Sequence, residues 1–187
     1  MKSTKVSIVI CCYNEEKRLP SCLHALKGQT YRNHELIVVD DGSTDRTAQV
    51  AKAFGAKIVR IEHSGLPTAR NVGVENTSGE IIAFTDADCI VEPRWLEKLV
   101  KKIEKGYDGV VGGTVKVLNS DNLVVKCITL MQENPMCIKC ISGGYNMAYK
   151  KEAIIKLGGF ESSFVRGGDY DFNLRALESG YKIGWAK

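Results

Sequence analysis

Two carboxylates one residue apart, Asp86 and Asp88, follow an apolar run, Ile81–Phe84, that is typical of a buried strand. In open α/β sheets, ligands bind in the crevice beyond the carboxyl ends of the strands. Paired carboxylates at such a position can hold a hard divalent cation, which usually keeps several waters and is shared with substrate phosphates. The spacing therefore predicts a site for a metal ion and a phosphorylated substrate.

Polar side chains also follow two earlier strand patterns. Val6–Ile10 leads to Tyr13, and Leu36–Val39 leads to Asp40 and Asp41. Because the carboxyl ends of parallel strands meet at one edge of a sheet, we expect these side chains to converge with the carboxylate pair. An aromatic ring and a carboxylate suit a nucleobase, since the ring can stack on it and the carboxylate can accept a base N–H.

Each of these features also has a purely structural interpretation. Segment 40–45 is rich in Asp, Gly, Ser and Thr, which favour turns and helix N-termini. Arg70 carries a guanidinium suited to phosphate, but an arginine is more often a solvated surface residue. A lone D-x-D pattern can be a strand-ending turn. The functional interpretation depends on these features lying together along one sheet.

The order of the predicted elements indicates the fold. Strand patterns at 6–10, 36–39, 57–61 and 81–85 alternate with amphipathic helix patterns, which favours a largely parallel sheet covered by helices on both faces. The second half predicts strands at 110–111, 114–118, 145–149 and 181–185 and helices at 151–157 and 169–179. Residues 119–140 fit a helix followed by a loop.

Composition limits the class of protein. The 187 residues are 44% hydrophobic and 26% charged, as in a soluble globular protein, and the net charge of +4 does not indicate nucleic acid. No apolar run approaches the roughly 20 residues of a membrane helix, and no signal peptide is evident. We expect a cytoplasmic protein with seven reduced cysteines. Cys127, Cys137 and Cys140 lack a convincing fourth zinc ligand, so packing is the preferred interpretation.

Short segments spread along nearly the whole chain resemble, in order, the motifs of family 2 glycosyltransferases. Each segment alone is a weak signal, whereas the ordered set is specific. The segments are Val6–Glu16, Glu35–Asp45, Ala69–Gly73, Asp86–Asp88, Gly143–Ala148, Gly158–Phe160 and Gly168–Arg175.

The resemblance implies an inverting enzyme of the GT-A fold, a Rossmann-like, mostly parallel mixed sheet flanked by helices. Its donor would be a nucleotide-diphosphate sugar, with UDP the default because it is the commonest in the family, and its metal would be Mg²⁺ or Mn²⁺. On the donor side, Tyr13 would stack on the base, Asp41 would bind the base edge, Cys11 would offer backbone contacts, and Arg70 would lie near the base or diphosphate.

The resemblance also assigns the groups around the transferred sugar. Asp86 and Ala87 would contact the nucleotide, with Asp86 on the ribose or metal side, and Asp88 would ligate the metal. Asp169 matches the base that takes the proton of an acceptor hydroxyl during direct displacement. Structural alternatives remain: Asp169 could cap the predicted helix 169–179, and Asp171 could pair with Arg175, four residues on.

One departure from the family lies beside the predicted base. The family often has Glu-Asp where this chain has Gly168-Asp169, so the neighbouring carboxylate is missing. We interpret this as an active enzyme with an altered acceptor side, and a nucleotide-sugar-binding module with little turnover is the alternative. Two other enzyme classes are disfavoured by the residues that follow the first strand, Cys11-Cys12-Tyr13-Asn14-Glu15. A sugar nucleotidyltransferase would need a Gly-rich, Arg-containing loop there, and a nicotinamide dehydrogenase would need G-x-G-x-x-G.

The expected organisation is one compact domain with two parts. Residues 1–115 would bind the nucleotide sugar, and residues 116–187 would bind a glycan, lipid-linked or small-molecule acceptor in glycan or glycolipid synthesis. Family members commonly continue past the equivalent of Trp185, so we expect the chain to be truncated at its C-terminus. A membrane-associated parent at the cytoplasmic face of the membrane is the alternative to a free cytoplasmic protein.

Overall fold

The computed structural model describes residues 3–112 and 143–186, and its centre is a mixed sheet of seven strands. In chain order the strands are β1 (Val6–Cys12), β2 (His34–Asp41), β3 (Lys57–Ile61), β4 (Ile81–Phe84), β5 (Gly109–Gly112), β6 (Met147–Lys150) and β7 (Ile183–Ala186). Their order across the sheet is β3-β2-β1-β4-β6-β5-β7. β6 is antiparallel to both of its neighbours, and the other pairs are parallel.

The register brings the carboxyl ends of the first strands to one edge. Val6 of β1 pairs with His34 of β2 on one side and Ile81 of β4 on the other, so these three parallel strands run together from a common start. The mostly parallel sheet and the shared edge predicted from the sequence are thereby confirmed.

Helices cover both faces of the sheet. Successive residues of β1 point to opposite faces: Ile8 and Ile10 belong to one buried cluster and Val9 to the other. In the second cluster, Gly73 lies so close to β1 that an added Cβ would be 2.5 Å from Val9 Cγ1. The helices are α1 (Leu19–Lys27), α2 (Thr47–Ala53), α3 (Leu66–Glu75), α4 (Trp95–Glu104), α5 (Lys151–Lys156) and α6 (Gly168–Glu178).

The observed elements differ from the predicted ones mainly at their ends. α3 begins at Leu66 rather than near residue 69, because Pro67 fits the first turn of a helix. The predicted strand 145–149 is observed two residues later, as Met147–Lys150. The predictions for 114–118 and 119–140, and the boundary at 115, lie outside the described residues. Within the described ranges, no helix is long and apolar enough to cross a membrane.

A partly buried carboxylate near the N-terminal end of β2 connects three segments of the chain through hydrogen bonds and an ion pair. Glu35 of β2 accepts a hydrogen bond from Ser7 Oγ of β1 at 2.5 Å and from the Ser78 amide at 2.8 Å, and its other oxygen lies 3.0 Å from Lys5 Nζ. Burial by itself raises the pKa of Glu35, but the bonds from Ser7, Ser78 and Lys5 lower it to about 2.

Glu35→Gln should therefore destabilise the fold in a pH-dependent way. The folded-state pKa lies below the ordinary value of 4.5, so the carboxylate's contribution is complete above pH 4.5 and is lost as the pH falls toward 2. We expect a loss of about 2 kcal/mol in the free energy of unfolding at pH 7, which shrinks through this window. Urea denaturation at several pH values measures it. Glu75→Gln, at an exposed position of α3, is the matched control. A pH-independent difference would contradict the assignment.

Candidate active site

The ends of β1, β2 and β4 bring the predicted site residues to one cleft. Cys11 of β1 lies where the charges of Arg70, Asp86 and Asp41 all act on it. Burial raises the pKa of the Cys11 thiol to about 12, more than the nearby Arg70 lowers it, so the thiol stays protonated. Cys11 is therefore neither a nucleophile nor a thiolate ligand in this site.

Arg70 is buried beside Asp86 rather than exposed on the surface. Only 4% of the residue is exposed, and its NH2 group is 3.9 Å from Asp86 Oδ1. Burial in the cleft raises the pKa of Asp86, Arg70 lowers it, and the like charges of Asp88 and Asp169 raise it further. The solvated-surface interpretation of Arg70 is wrong, because the guanidinium is a buried counter-charge for the cleft.

The carboxylate pair fits a cation that is completed by a substrate. In the part of the chain that the structure describes, no group of three or more His, Cys, Asp or Glu side chains could hold a metal ion. Asp88 is exposed and Asp86 is half-exposed. These two carboxylates and Asp169 lie near one guanidinium, that of Arg70, which leaves a surplus of negative charge there. Mg²⁺ is commonly bound by one or two carboxylates, waters and substrate phosphates. The pair matches that kind of site.

The side chains of two smaller residues beside the pair, Ala87 and Cys89, take no direct part in ligand binding. Ala87 is 4% exposed and packs in the core, which leaves its backbone as the part that can contact a nucleotide. The thiol of Cys89 lies 3.8 Å from Asp88 Oδ1, and burial raises its pKa to about 11. The zinc hypothesis for Cys127, Cys137 and Cys140 falls outside the described residues.

Asp41 is buried and holds the loop that follows β3. Its Oδ1 accepts the Ser64 amide at 2.8 Å, and its Oδ2 accepts the Gly65 amide at 3.0 Å. His63 Nδ1 lies 3.0 Å from the same Oδ2, and the His63 ring stacks on Tyr13 with centroids 4.1 Å apart. Sequence reasoning missed His63, although it follows the end of a parallel strand just as Tyr13 and Asp41 do.

The rest of segment 40–45 has the structural role that its composition allows. Asp40 Oδ1 accepts the amide of Ser43 at 3.0 Å, and Asp45 Oδ1 accepts the amide of Thr47 at 2.9 Å at the start of α2. These bonds form the turn itself. Asp41 is the member of the segment whose carboxylate points to the loop beside Tyr13.

Asp169 lies in the same cleft and is held by a glycine amide. α6 begins at Gly168 with Gly167 as its N-cap residue, so the N-cap interpretation of Asp169 is wrong. Its Oδ2 instead accepts the amide of Gly144 at 2.5 Å. A Cβ added to Gly144 would lie 1.9 Å from Arg70 NH2, so this glycine separates Asp169 from the buried guanidinium.

Tyr145, which sequence reasoning did not single out as a site residue, borders both carboxylate groups. The side chain is half-buried, and burial, followed by the charges of Cys89, Asp169 and Asp86, raises its pKa. The signal that could have found it is its place directly after the two glycines of Gly143–Ala148.

The motif around α6 anchors the site to the rest of the fold. The predicted pairing of Asp171 with Arg175 is observed at 2.8 Å, and Arg175 also donates to the carbonyls of Leu157 and Gly159 at the end of α5. At Gly168, an added Cβ would lie 3.3 Å from Pro67 Cγ of α3. A larger residue there would press on the first turn of α3. The position next to Asp169, where this chain lacks a carboxylate, is therefore closely packed.

The comparisons with known proteins agree with this geometry. The family model for Glycosyl transferase family 2 matches residues 7–161. Glycosyltransferase AglE of Haloferax volcanii is 31% identical over 194 residues, covering 97% of this chain and 64% of that protein. Glucosyl-dolichyl phosphate glucuronosyltransferase of the same organism is 28% identical, covering 88% of this chain and 58% of that protein.

Solved structures share the fold at low sequence identity. Staphylococcus aureus TarS 1-349 in complex with UDP-GlcNAc has a TM-score of 0.75 at 22% identity and covers 97% of this chain. Mannosyltransferase PcManGT from Pyrobaculum calidifontis, in complex with GDP-Man and Mn²⁺, has a TM-score of 0.77 at 20% identity and covers 98%. The fold is thus that of GT-A glycosyltransferases.

The match covers most of this chain but only part of these proteins. The chain spans 64% of AglE and 55% of the TarS chain. The family match nevertheless extends over the cleft residues from Tyr13 to Tyr145. The chain belongs to glycosyl transferase family 2.

Proposed function

We propose that this chain carries the nucleotide-sugar site and the catalytic base of an inverting glycosyltransferase. The observation that carries the proposal is the convergence of Asp86 and Asp88 with Asp169 in one cleft, around the buried Arg70. The first pair suits a diphosphate and its cation, and the third carboxylate suits an attacking hydroxyl. The UDP-GlcNAc and GDP-Man of the two structural neighbours support a nucleotide sugar as donor.

The donor side is assigned to residues at the ends of β1 and β2 and to α3. Tyr13, with 46% of its surface exposed, offers a ring for the base, and Cys11, near the end of β1, is assigned backbone contacts to the nucleotide. Asp41 fixes the neighbouring loop, and its Oδ1, which accepts the Ser64 amide, retains a lone pair for the base edge. Arg70 is placed to attract the diphosphate through its guanidinium. UDP is the proposed nucleotide.

Asp88 and Asp86 are the residues that would hold Mg²⁺ or Mn²⁺, with the Ala87 backbone between them. When bound, the ion supplies positive charge that offsets the charge of the leaving diphosphate. Arg70, buried beside Asp86, adds a fixed positive charge on the same side of the sugar.

Asp169 is the proposed base for the acceptor. Its Oδ2 is occupied by the Gly144 amide, so we assign the acceptor's proton to Oδ1. As the hydroxyl oxygen attacks the anomeric carbon, its proton passes to the carboxylate while the bond to the diphosphate breaks on the opposite face. One in-line displacement inverts the anomeric configuration.

The two predicted parts of the chain suit the two sides of this reaction. We assign donor binding to residues 1–115 and acceptor binding to residues 116–187, which include α6 and Asp169. A lipid-linked acceptor in glycan synthesis is supported by the curated relative whose name describes transfer to glucosyl-dolichyl phosphate.

Asp169→Asn should abolish transfer and spare donor binding. An amide cannot accept the hydroxyl proton, so we expect transfer from a UDP-sugar to fall about 10²- to 10⁴-fold. UDP affinity, measured by calorimetry, should change less than twofold. Asp171→Asn is the matched control, because this carboxylate lies on the same helix but pairs with Arg175, and it should keep most of the transfer activity.

The outcome decides between the enzyme and the alternatives. Transfer that survives in Asp169→Asn contradicts the assigned base. A wild-type protein that binds UDP but shows neither transfer nor hydrolysis across donors and acceptors favours the binding module.

Asp88→Asn should weaken the metal-dependent turnover. Loss of one of two carboxylates weakens the cation site, so we expect a large rise in the Mn²⁺ concentration that gives half-maximal transfer. Glu92→Gln, an exposed carboxylate that pairs with Lys98, is the control and should keep the wild-type Mn²⁺ curve. If the Asp88→Asn curve also matches wild type, Asp88 is not a metal ligand.

A further inference from the structure

His63 is an aromatic side chain in the cleft whose place is set by the backbone around it. It lies in the loop between β3 and α3, and 57% of its side chain is exposed. Its ring nevertheless stacks on Tyr13, at 4.1 Å between centroids and 25° between planes. This stacking joins the loop after β3 to the loop after β1.

Asp41 holds the loop that contains His63 through hydrogen bonds. The two amides that follow His63 donate to the two oxygens of the Asp41 carboxylate, at 2.8 and 3.0 Å. His63 Nδ1 is 3.0 Å from Asp41 Oδ2 and 3.1 Å from the Asp41 carbonyl oxygen. Because both neighbours are acceptors, Nδ1 carries the proton and donates to them.

Gly42 allows the loop to approach β2 this closely. It has a φ of +77°, and an added Cβ would lie 2.8 Å from the His63 amide nitrogen. The turn after β2 therefore has a glycine where the His63 backbone passes, and the imidazole itself is held by two contacts, with Asp41 and with Tyr13.

The stack leaves one face of Tyr13 for a ligand. A base inserted between the two rings would need them about 7 Å apart, since each aromatic contact takes about 3.5 Å. The observed centroid distance of 4.1 Å gives no such room, whereas 46% of Tyr13 remains exposed. A base can stack on the open face without disturbing the bonds to Asp41.

We propose that His63 is a positioning residue for the nucleobase. Its ring stacks on one face of Tyr13, and the base of the donor stacks on the opposite face of that ring. Asp41 then acts partly through His63, because it fixes the imidazole that fixes the Tyr13 ring. A ring held in place before binding loses less conformational freedom when the base arrives. The inference rests on the proposed nucleotide-sugar site and adds the residue that orients its base.

The test compares UDP with inorganic pyrophosphate, both titrated in saturating Mn²⁺ by calorimetry. His63→Ala should weaken UDP binding about two- to tenfold, the range expected for one aromatic pair, and leave pyrophosphate binding unchanged. His63→Phe keeps a ring against Tyr13 and should bind UDP nearly as wild type does. His63→Gln keeps a donor for Asp41 without a ring and should behave as His63→Ala.

The contrary results are equally distinct. If His63→Ala binds UDP as tightly as wild type or more tightly, the imidazole does not support the base. An equal loss for UDP and pyrophosphate, or recovery in His63→Gln but not in His63→Phe, would show a general structural role and overturn the proposal. The proposal would also be overturned if the wild-type protein bound UDP no more tightly than pyrophosphate, because the uridine would then add no affinity. Wild-type protein that binds neither probe overturns the proposed function, and this inference with it.

Discussion

Negative charge is concentrated at one edge of the sheet, where Asp86, Asp88 and Asp169 act on one another around the buried guanidinium of Arg70. Burial raises the pKa of Asp86 most, Arg70 lowers it, and the like charges of Asp88 and Asp169 raise it further, because carboxylates in a partly desolvated cleft repel one another. The end of β4 places Asp86 and Asp88 at this edge, and α6 brings Asp169 to it. A cation and a diphosphate are the partners that would balance it, which is why the cleft suits a nucleotide sugar.

The turn at Gly143–Gly144 connects the two sides of that cleft. The Gly144 amide holds Asp169, while its Cα leaves room for Arg70 and no room for a Cβ. Arg70 belongs to α3, which packs on β1 and β2, and Asp169 belongs to α6, which is anchored by Arg175 to the end of α5. The spacing between the donor-side guanidinium and the acceptor-side carboxylate is therefore set by backbone packing rather than by flexible side chains.

Features that follow from strand direction could be predicted from the sequence. Alternating strand and helix patterns predicted the parallel strands, and the strand-end rule brought Asp41 and Asp86 to one edge. Features that depend on close tertiary contact were not predictable in this way. The burial of Arg70, the Gly144 bond to Asp169 and the stacking of His63 on Tyr13 each join segments far apart in sequence. A single histidine or glycine in a turn carries no periodicity that would reveal such a contact.

The acidic cleft is proposed to bind a nucleotide diphosphate together with a cation. The most direct test is a calorimetric titration of the wild-type protein with UDP, once in Mn²⁺ and once in EDTA. The charge surplus around Asp86 predicts binding that is at least about tenfold tighter with the metal, because the cation relieves repulsion between the carboxylates and the diphosphate. Equal affinity under both conditions, or no binding in either, would contradict the account.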